Sequence, residues 1–309
     1  MDSFNTTPPE NPDRFYNLEL NNHVRYIGSS KSANGLEALV GRVCADGNSV
    51  VVEVSILGTV VQDVSSIMAM LEDEEGNKFQ LRCAERCEGK LHSFFLSFYN
   101  PVEHTVFKAN VLFRLMLIVS PNPSWYDDLK WRTKLHIVEG TTIDTTKSSI
   151  IRDFGVKVPI FTYTFNSDII PLREVILDKV ADKQKGLVLS SIRCSPTESI
   201  VIFNHKSLSN AVKHQSMGAS ILEGNVNNRN WVSRFGNWGY GDADRTVCVS
   251  EGYFYDLNSW TLHIQKLQWD IHLRASNPEE DVYSVVDVDT DSVEGSWIFQ
   301  FEMPKSLLG

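Results

Sequence analysis

The sequence lacks the features that direct a chain to a membrane or to nucleic acid. Its first residues show no basic stretch followed by an apolar core, so no secretory signal is expected. The longest apolar run, Ala109–Val119, is too short to span a bilayer and contains Arg114. With 29 Lys and Arg against 39 Asp and Glu, the net charge is −10. An acidic chain of this kind argues against direct nucleic-acid binding and against anionic membranes.

Cysteine is scarce, and the number of cysteines is odd. The sequence contains five, at Cys44, Cys83, Cys87, Cys194 and Cys248. Secreted disulfide proteins have an even set at close spacings, so this pattern indicates a reducing compartment. We therefore expect a cytoplasmic protein, in the host cytoplasm or the virion if the protein is viral.

Signatures of catalysis are also missing. There is no Gly-x-Ser-x-Gly elbow and no phosphate-binding P-loop. Gly236, Gly239 and Gly241 lie close together but lack the spacing and the strand and helix of a dinucleotide fingerprint. Cys83 and Cys87 have no second Cys or His pair nearby that would complete a zinc site. We expect no catalytic residue and no cofactor.

One acidic stretch resembles part of a calcium loop. Asp287, Asp289 and Asp291 occupy its first, third and fifth positions, which makes them weak metal candidates. However, Ser292 stands where the turn glycine belongs, and Ile298 stands where the bidentate glutamate belongs. The favoured interpretation is a strand with an acidic solvent face.

What the sequence does have is apolar residues repeating with a period of two. Roughly a dozen such segments predict a mainly β chain of antiparallel β-sandwich architecture with one or two short helices. Two sandwich domains and one jelly-roll-like body are both compatible with this pattern. We expect a flexible polar arm over 1–20, a sandwich domain over 21–145, and a second β-rich domain over 146–309.

Three local patterns make sharper predictions. Residues 66–83 indicate a hairpin that turns at Glu75–Asn77. A helix near 171–185 is predicted because Pro171 suits a first turn, Leu172, Val175, Ile176 and Val180 share one helical face, and Gly186 stops the pattern. A second, shorter helix is predicted over 206–215.

Between residues 260 and 273 the apolar residues change parity. Trp260, Leu262 and Ile264 share one parity, whereas the apolar residues from Leu267 onward share the other. Since one strand cannot bury both sets on one face, we predict a β-bulge near Gln265–Lys266 or a bend between two sheets.

The segment 227–245 is the candidate contact surface. Tryptophan, tyrosine and arginine dominate protein-binding sites, and this segment supplies five candidates: Arg229, Trp231, Arg234, Trp238 and Tyr240. Trp231 and Trp238 have two possible roles. They either fold back to cap a core, with the indole N–H bonded to a carbonyl, or anchor a partner beside the arginines.

These features together predict a non-enzymatic β-sandwich protein that binds a protein partner or assembles with copies of itself. A viral structural, coat-like protein is a specific form of this hypothesis. The alternative is a carbohydrate-binding or glycoside-hydrolysing protein using the same loop. In that case Asp242, Asp244 and Glu251 would supply the paired carboxylates.

Overall fold

The computed structural model describes residues 15–33, 35–58, 67–87, 90, 92–119, 149–151, 157–184, 186–204, 220–231, 233–235, 245–251, 254–276 and 283–305. Within these ranges the chain forms strands and one short helix, so the prediction of a mainly β protein is confirmed. The chain divides into two compact units, Met1–Ile170 and Pro171–Gly309. The expected division at residues 145 and 146 lies outside the described residues.

Unit 1 is built from antiparallel strands that follow the short helix α1, Tyr16–Leu20. Its strands are β1 Arg25–Ala33, β2 Leu36–Asp46, β3 Ser49–Leu57, β4 Ile67–Asp73, β5 Lys78–Arg86, β6 Ser93–Tyr99, β7 Lys108–Val119, β8 Ser149–Ile151 and β9 Lys157–Ile170. The predicted hairpin with its turn at Glu75–Asn77 is confirmed as β4 and β5.

The sheet of unit 1 closes on itself, which corrects the expected sandwich. Its order is β1-β2-β3-β6-β5-β4-β7-β9-β8, and an additional parallel pairing joins β2 to β9. Ala45 lies opposite Ile169, and Gly47 N–H donates to the Ile170 carbonyl at 2.9 Å. The result is a closed barrel of seven strands flanked by β1 and β8. Closure satisfies backbone groups that two open sheet edges would leave unpaired.

The barrel interior is filled by alternate apolar residues, as the period of two requires. On β3, for example, Val50, Val52, Val54 and Ile56 are all buried in one cluster. The strand β2 keeps this alternation by a bulge between Val40 and Val43.

Residues 15–20, the end of the expected polar arm, contain Phe15 and the helix α1 and lie on the outer wall of the barrel. Phe15 and Leu18 are buried there in a small apolar cluster that also contains Cys44, Val51, Cys87 and Phe95. The rest of the arm lies outside the described residues.

Unit 2 contains two antiparallel sheets. Its strands are β10 Arg173–Asp182, β11 Leu187–Cys194, β12 Glu198–Asn204, β13 Ser220–Val226, β14 Arg229–Asn230, β15 Ser233–Phe235, β16 Arg245–Glu251, β17 Ser259–Ser276 and β18 Tyr283–Glu302. A five-stranded sheet has the order β10-β11-β12-β16-β15, and a four-stranded sheet has the order β14-β13-β17-β18.

The helix predicted near 171–185 is wrong, because this segment forms β10 and the turn into β11. Val175, Ile176 and Val180 are β-branched, which favours strands, and pairing with β11 overrides the helical spacing. Ile176 is 73% exposed, so the supposed apolar face is not a core face. Gly186, the expected helix stop, lies in the hairpin turn with φ +62°. The second helix predicted over 206–215 lies outside the described residues.

The bulge predicted near Gln265–Lys266 is confirmed. The pairing of β17 with β18 shifts register between Ile264 and Lys266, and the pairing with β13 shifts opposite the same point. Because of this shift, Ile264 and Leu267 are both buried on one face of the four-stranded sheet.

Candidate interaction site

The hairpin between β13 and β14 presents a tight turn that we call the hairpin tip, Asn227–Asn230. Val226 pairs with Arg229, leaving Asn227 and Asn228 as the two turn residues. Both have positive φ, at 49° and 64°, as a type I′ turn requires. Asparagine adopts this conformation more readily than other non-glycine residues. The four residues of the tip are exposed, and they include the predicted contact residue Arg229.

The Asn227 side chain fixes the hairpin tip to β17. Its Nδ2 donates to the Ser259 carbonyl at 2.8 Å, and its Oδ1 accepts from the Thr261 N–H at 2.7 Å. The Asn227 backbone N–H also donates to the Thr261 carbonyl at 3.0 Å. The side-chain amide of Asn227 thus bonds to the backbone of β17 as the backbone of a neighbouring strand would. A surface held this firmly loses little conformational entropy when it binds a partner.

Trp231 follows the tip and belongs to the core. It is 5% exposed, and its ring stacks on Phe254 with centroids 5.6 Å apart and planes 5° from parallel. Phe254 lies 5.4 Å from Trp260, which lies 5.6 Å from Phe301. These four rings tie the chain after β14 to β17 and β18. Of the two roles open to Trp231, the structure places it in the core.

One detail of the expected core role differs for Trp231, namely the hydrogen bond from its indole N–H to a carbonyl. Its Nε1 is buried and has no hydrogen-bond partner in the described part of the chain, and the same holds for Trp260 Nε1. The backbone N–H of Trp231 instead donates to the Gly224 carbonyl at 2.8 Å. Ring stacking and this backbone bond hold the residue, rather than an indole bond to a carbonyl.

Of the other predicted contact residues, two lie on strands of different sheets. Arg229 lies on β14 of the four-stranded sheet, whereas Arg234 lies on β15 at the edge of the five-stranded sheet. For Arg234 only the backbone is described. Trp238 and Tyr240 lie outside the described residues, as do Asp242 and Asp244. Glu251 ends β16 opposite Glu198.

The weak metal candidates occupy a strand rather than a loop. Asp287, Asp289 and Asp291 lie on β18 at alternate positions, paired with Leu273, Ile271 and Trp269 of β17. A calcium loop wraps its backbone around the ion, and a paired strand does not. No group of three or more metal-binding side chains occurs among the described residues.

A buried arginine in unit 2 has a structural role. Arg173 is 6% exposed, and its five N–H groups match five acceptors. The acceptors are the carbonyls of Tyr255, Leu257, Met303 and Pro304 and the Oδ1 of Asn258, at 2.5 to 3.1 Å. Arg173 therefore fastens the end of β18 to the turn before β17 and leaves no donor for a ligand.

A buried ion pair lies on the outer wall of the barrel. Arg42 Nε and Nη2 donate to the two carboxylate oxygens of Glu53 at 2.6 and 2.9 Å. Lys90 Nζ reaches Glu53 Oε1 at 3.0 Å. Burial acts to raise the pKa of Glu53, but the hydrogen bonds from Arg42 and Lys90 outweigh it and lower this pKa. A carboxylate held in this way has the opposite of the raised pKa expected of a general acid.

Two cysteines in unit 2 are equally unsuited to catalysis. Burial raises the pKa of the Cys194 thiol to about 12, although a hydrogen bond with Ser199 opposes the shift. Burial also raises the pKa of Cys248. Thiolate is the reactive form of cysteine, so neither residue is a nucleophile near neutral pH.

Two features of the structure were not predicted from the sequence. The first is the role of Asn227 as an anchor, although its Asn-Asn dipeptide between strands indicates a turn with two positive φ angles. The second is the docking of α1. Its signal is the spacing of Phe15 and Leu18, which lie three residues apart at the end of the expected polar arm.

Comparisons with known proteins do not identify a family. No protein-family model matches the chain. No curated protein matches it either. One crystal structure, of a conserved domain protein from Bacillus anthracis, matches with a TM-score of 0.48 at 11% identity, covering 94% of this chain and 96% of that chain. A likeness this remote establishes neither family nor function. Among the described residues, no helix is long and apolar enough to cross a membrane.

Proposed function

We propose that this chain is a non-enzymatic β protein that binds a protein partner or assembles with itself, using the hairpin tip as part of its contact surface. The observation that carries the proposal is the exposed Arg229 on a turn fixed by Asn227. Arginine is one of the residue types that are enriched among binding hot spots. The entropic cost of binding is low because the tip is already held in place.

The proposal extends to architecture and compartment. We propose that the two sheets of unit 2 pack as an antiparallel sandwich, which the stack of Trp231, Phe254 and Trp260 supports. We also propose that the protein works in the cytoplasm. In support, the cysteines within the described residues form no disulfide with one another.

The glycan-binding alternative is weakened because one of its candidate stacking rings, that of Trp231, is buried. A tryptophan stacked on Phe254 and 5% exposed, as Trp231 is, presents no open face to a sugar. No other observation on the described residues favours a carbohydrate site, so protein binding is the proposal we retain.

Affinity capture with the full chain tests the role of the tip. The parent protein is compared with Arg229→Glu and with a matched charge control, Arg25→Glu, which changes another exposed arginine, in unit 1. We expect a partner held in fixed stoichiometry by the parent and by Arg25→Glu, with at least a tenfold loss for Arg229→Glu. Equal capture by all three proteins would refute the role of the tip.

Self-assembly is tested on the same three proteins by light scattering over a range of concentrations. Oligomers that weaken with Arg229→Glu alone would support assembly through the tip. Discrete particles in negative-stain images would support the coat-like form of the hypothesis. A monomer at every concentration, with no captured partner, would contradict the whole proposal.

A further inference from the structure

Helix α1 occupies a groove on the outer wall of the barrel. Phe15 is fully buried and Leu18 is 6% exposed. The Phe15 ring lies 5.3 Å from the Phe95 ring, and the Arg42 guanidinium lies over the Phe15 ring, 4.8 Å from its centroid. Two apolar anchors three residues apart thus fill this groove.

An ionic contact completes this docking. Arg42 Nη1 donates to Glu19 Oε1 at 3.0 Å, while its other nitrogens hold Glu53. Tyr26 OH donates to the same Glu19 oxygen at 2.5 Å. Gly41, in the bulge of β2, makes room for this arrangement, because a Cβ there would lie 3.0 Å from Glu53 Oε2. The groove therefore recognises an acid one residue after the aliphatic anchor.

The segment behaves like a docked peptide. Its pattern is an aromatic residue, an aliphatic residue three positions later and an acid one position after that, as in helix-in-groove recognition. A helix of five residues is not stable in water by itself. Its helical form thus depends on the groove, and the connection to β1 is the short stretch 21–24 with Asn22 at φ 57°.

We propose that Phe15–Glu19 is an exchangeable segment, and that the groove also accepts it from a second copy of this chain. The same contacts form within one copy or between two, so the connecting turn decides between them. Short hinge turns favour such exchange, and the turn here spans four residues, with Asn22 at φ 57°. Within one copy the segment has a millimolar or higher effective concentration, so the monomer dominates in dilute solution.

A peptide experiment tests recognition by the groove. A labelled peptide of residues 13–22 is titrated into the full chain and into the full-chain variant Phe15→Ala/Leu18→Ala, whose own segment no longer docks. We expect at least tenfold tighter binding to the variant, because the parent's own segment competes. A peptide carrying Glu19→Lys should bind at least tenfold more weakly. Equal or absent binding, with both proteins folded by near-ultraviolet circular dichroism, would overturn the proposal.

A shortened turn tests exchange directly. Deleting Asn21 and Asn22 from the full chain prevents α1 from folding back, so light scattering should show a dimer. Adding Phe15→Ala and Leu18→Ala to the deletion should restore the monomer. A folded deletion variant that stays monomeric would overturn the proposal. If the double alanine variant loses its fold, the deletion alone decides. The hairpin tip lies in unit 2, so failure here leaves the proposed function untouched.

Discussion

Gly224 lies opposite the bulge at Gln265, and the backbone there leaves no room for a side chain. A Cβ at this position would lie 2.2 Å from the His263 carbonyl oxygen. We expect Gly224→Ala to lower the free energy of unfolding by about 2 to 3 kcal/mol, because β13 must move away from β17. Denaturant unfolding measures the change.

The control for this substitution is Gly76→Ala. Gly76 has φ +83°, and a Cβ added to it would meet no atom within 4 Å, so only backbone strain of about 1 kcal/mol is expected. Equal losses for both substitutions would show that contact with His263 is not the cause.

Glu53 provides a prediction on pH. Glu53→Gln should lower the free energy of unfolding by about 3 to 5 kcal/mol at neutral pH, because the buried Arg42 loses the carboxylate that accepts two of its hydrogen bonds and keeps Glu19 as its acidic partner. The folded-state pKa of Glu53 lies below its ordinary value of 4.5. Its contribution is therefore complete above that value and is lost as the pH falls through the folded-state pKa.

Urea unfolding from pH 7 to pH 3 checks this prediction. The parent should lose stability more steeply below about pH 5 than Glu53→Gln does. Glu72→Gln is the matched control, because its pair with Arg114 is 34% and 53% exposed and should change stability by less than about 0.5 kcal/mol. The same pH slope in parent and Glu53→Gln would contradict the assignment.

At the scale of the element, the hairpin tip allows two neighbouring asparagines, Asn227 and Asn228, to be compared. Asn227 and Asn228 both have positive φ, and the two side-chain bonds to β17 come from Asn227. Asn228→Gly should be neutral or slightly stabilising, since glycine favours the second position of this turn. Asn227→Gly should cost about 1 to 2 kcal/mol, because two hydrogen bonds are lost.

Amide hydrogen exchange separates the two variants further. The Thr261 N–H donates to Asn227 Oδ1 in the parent, so its exchange should be faster in Asn227→Gly and unchanged in Asn228→Gly. If both variants protect Thr261 equally, the side chain of Asn227 does not anchor the tip.

Elements whose signal is local were predictable from the sequence. The change of parity between Ile264 and Leu267 predicted a bulge, since only an extra residue keeps both on one face. The prediction of a helix failed for β10, where the spacing of the apolar residues favoured a helix but their β-branched side chains favoured a strand. There the pairing with β11, a contact that no single segment contains, decided the outcome.

The candidate site was likewise predictable only where its signal is local. The turn at Asn227 and Asn228 follows from local chemistry. The burial of Trp231 depends on Phe254 and Trp260, and the bonds of Asn227 reach Ser259, 32 residues away. Contacts of this separation depend on how the sheets assemble, so the sequence left both roles of Trp231 open.

At the scale of the whole molecule, barrel closure illustrates the same limit. The barrel closes where Ala45 and Asp46 meet Ile169 and Ile170 in a parallel pairing. These residues are far apart in the sequence, and neither segment carries a sign of its partner. An alternating pattern fits the strands of a sandwich and of a barrel equally well, which is why the expected sandwich and the observed barrel share their strands.

Each unit has a buried core and a buried charged residue that holds its elements together, which leads to a prediction on unfolding. In unit 1 Glu53 pairs with Arg42, and in unit 2 Arg173 bonds five acceptors. We expect two calorimetric transitions, with Glu53→Gln lowering the midpoint of one and Arg173→Met lowering the midpoint of the other. Arg173→Met should act strongly because it leaves buried carbonyls without donors. A single transition shifted by both variants would show instead that the two units unfold together, and the effects of the double variant would then report their coupling.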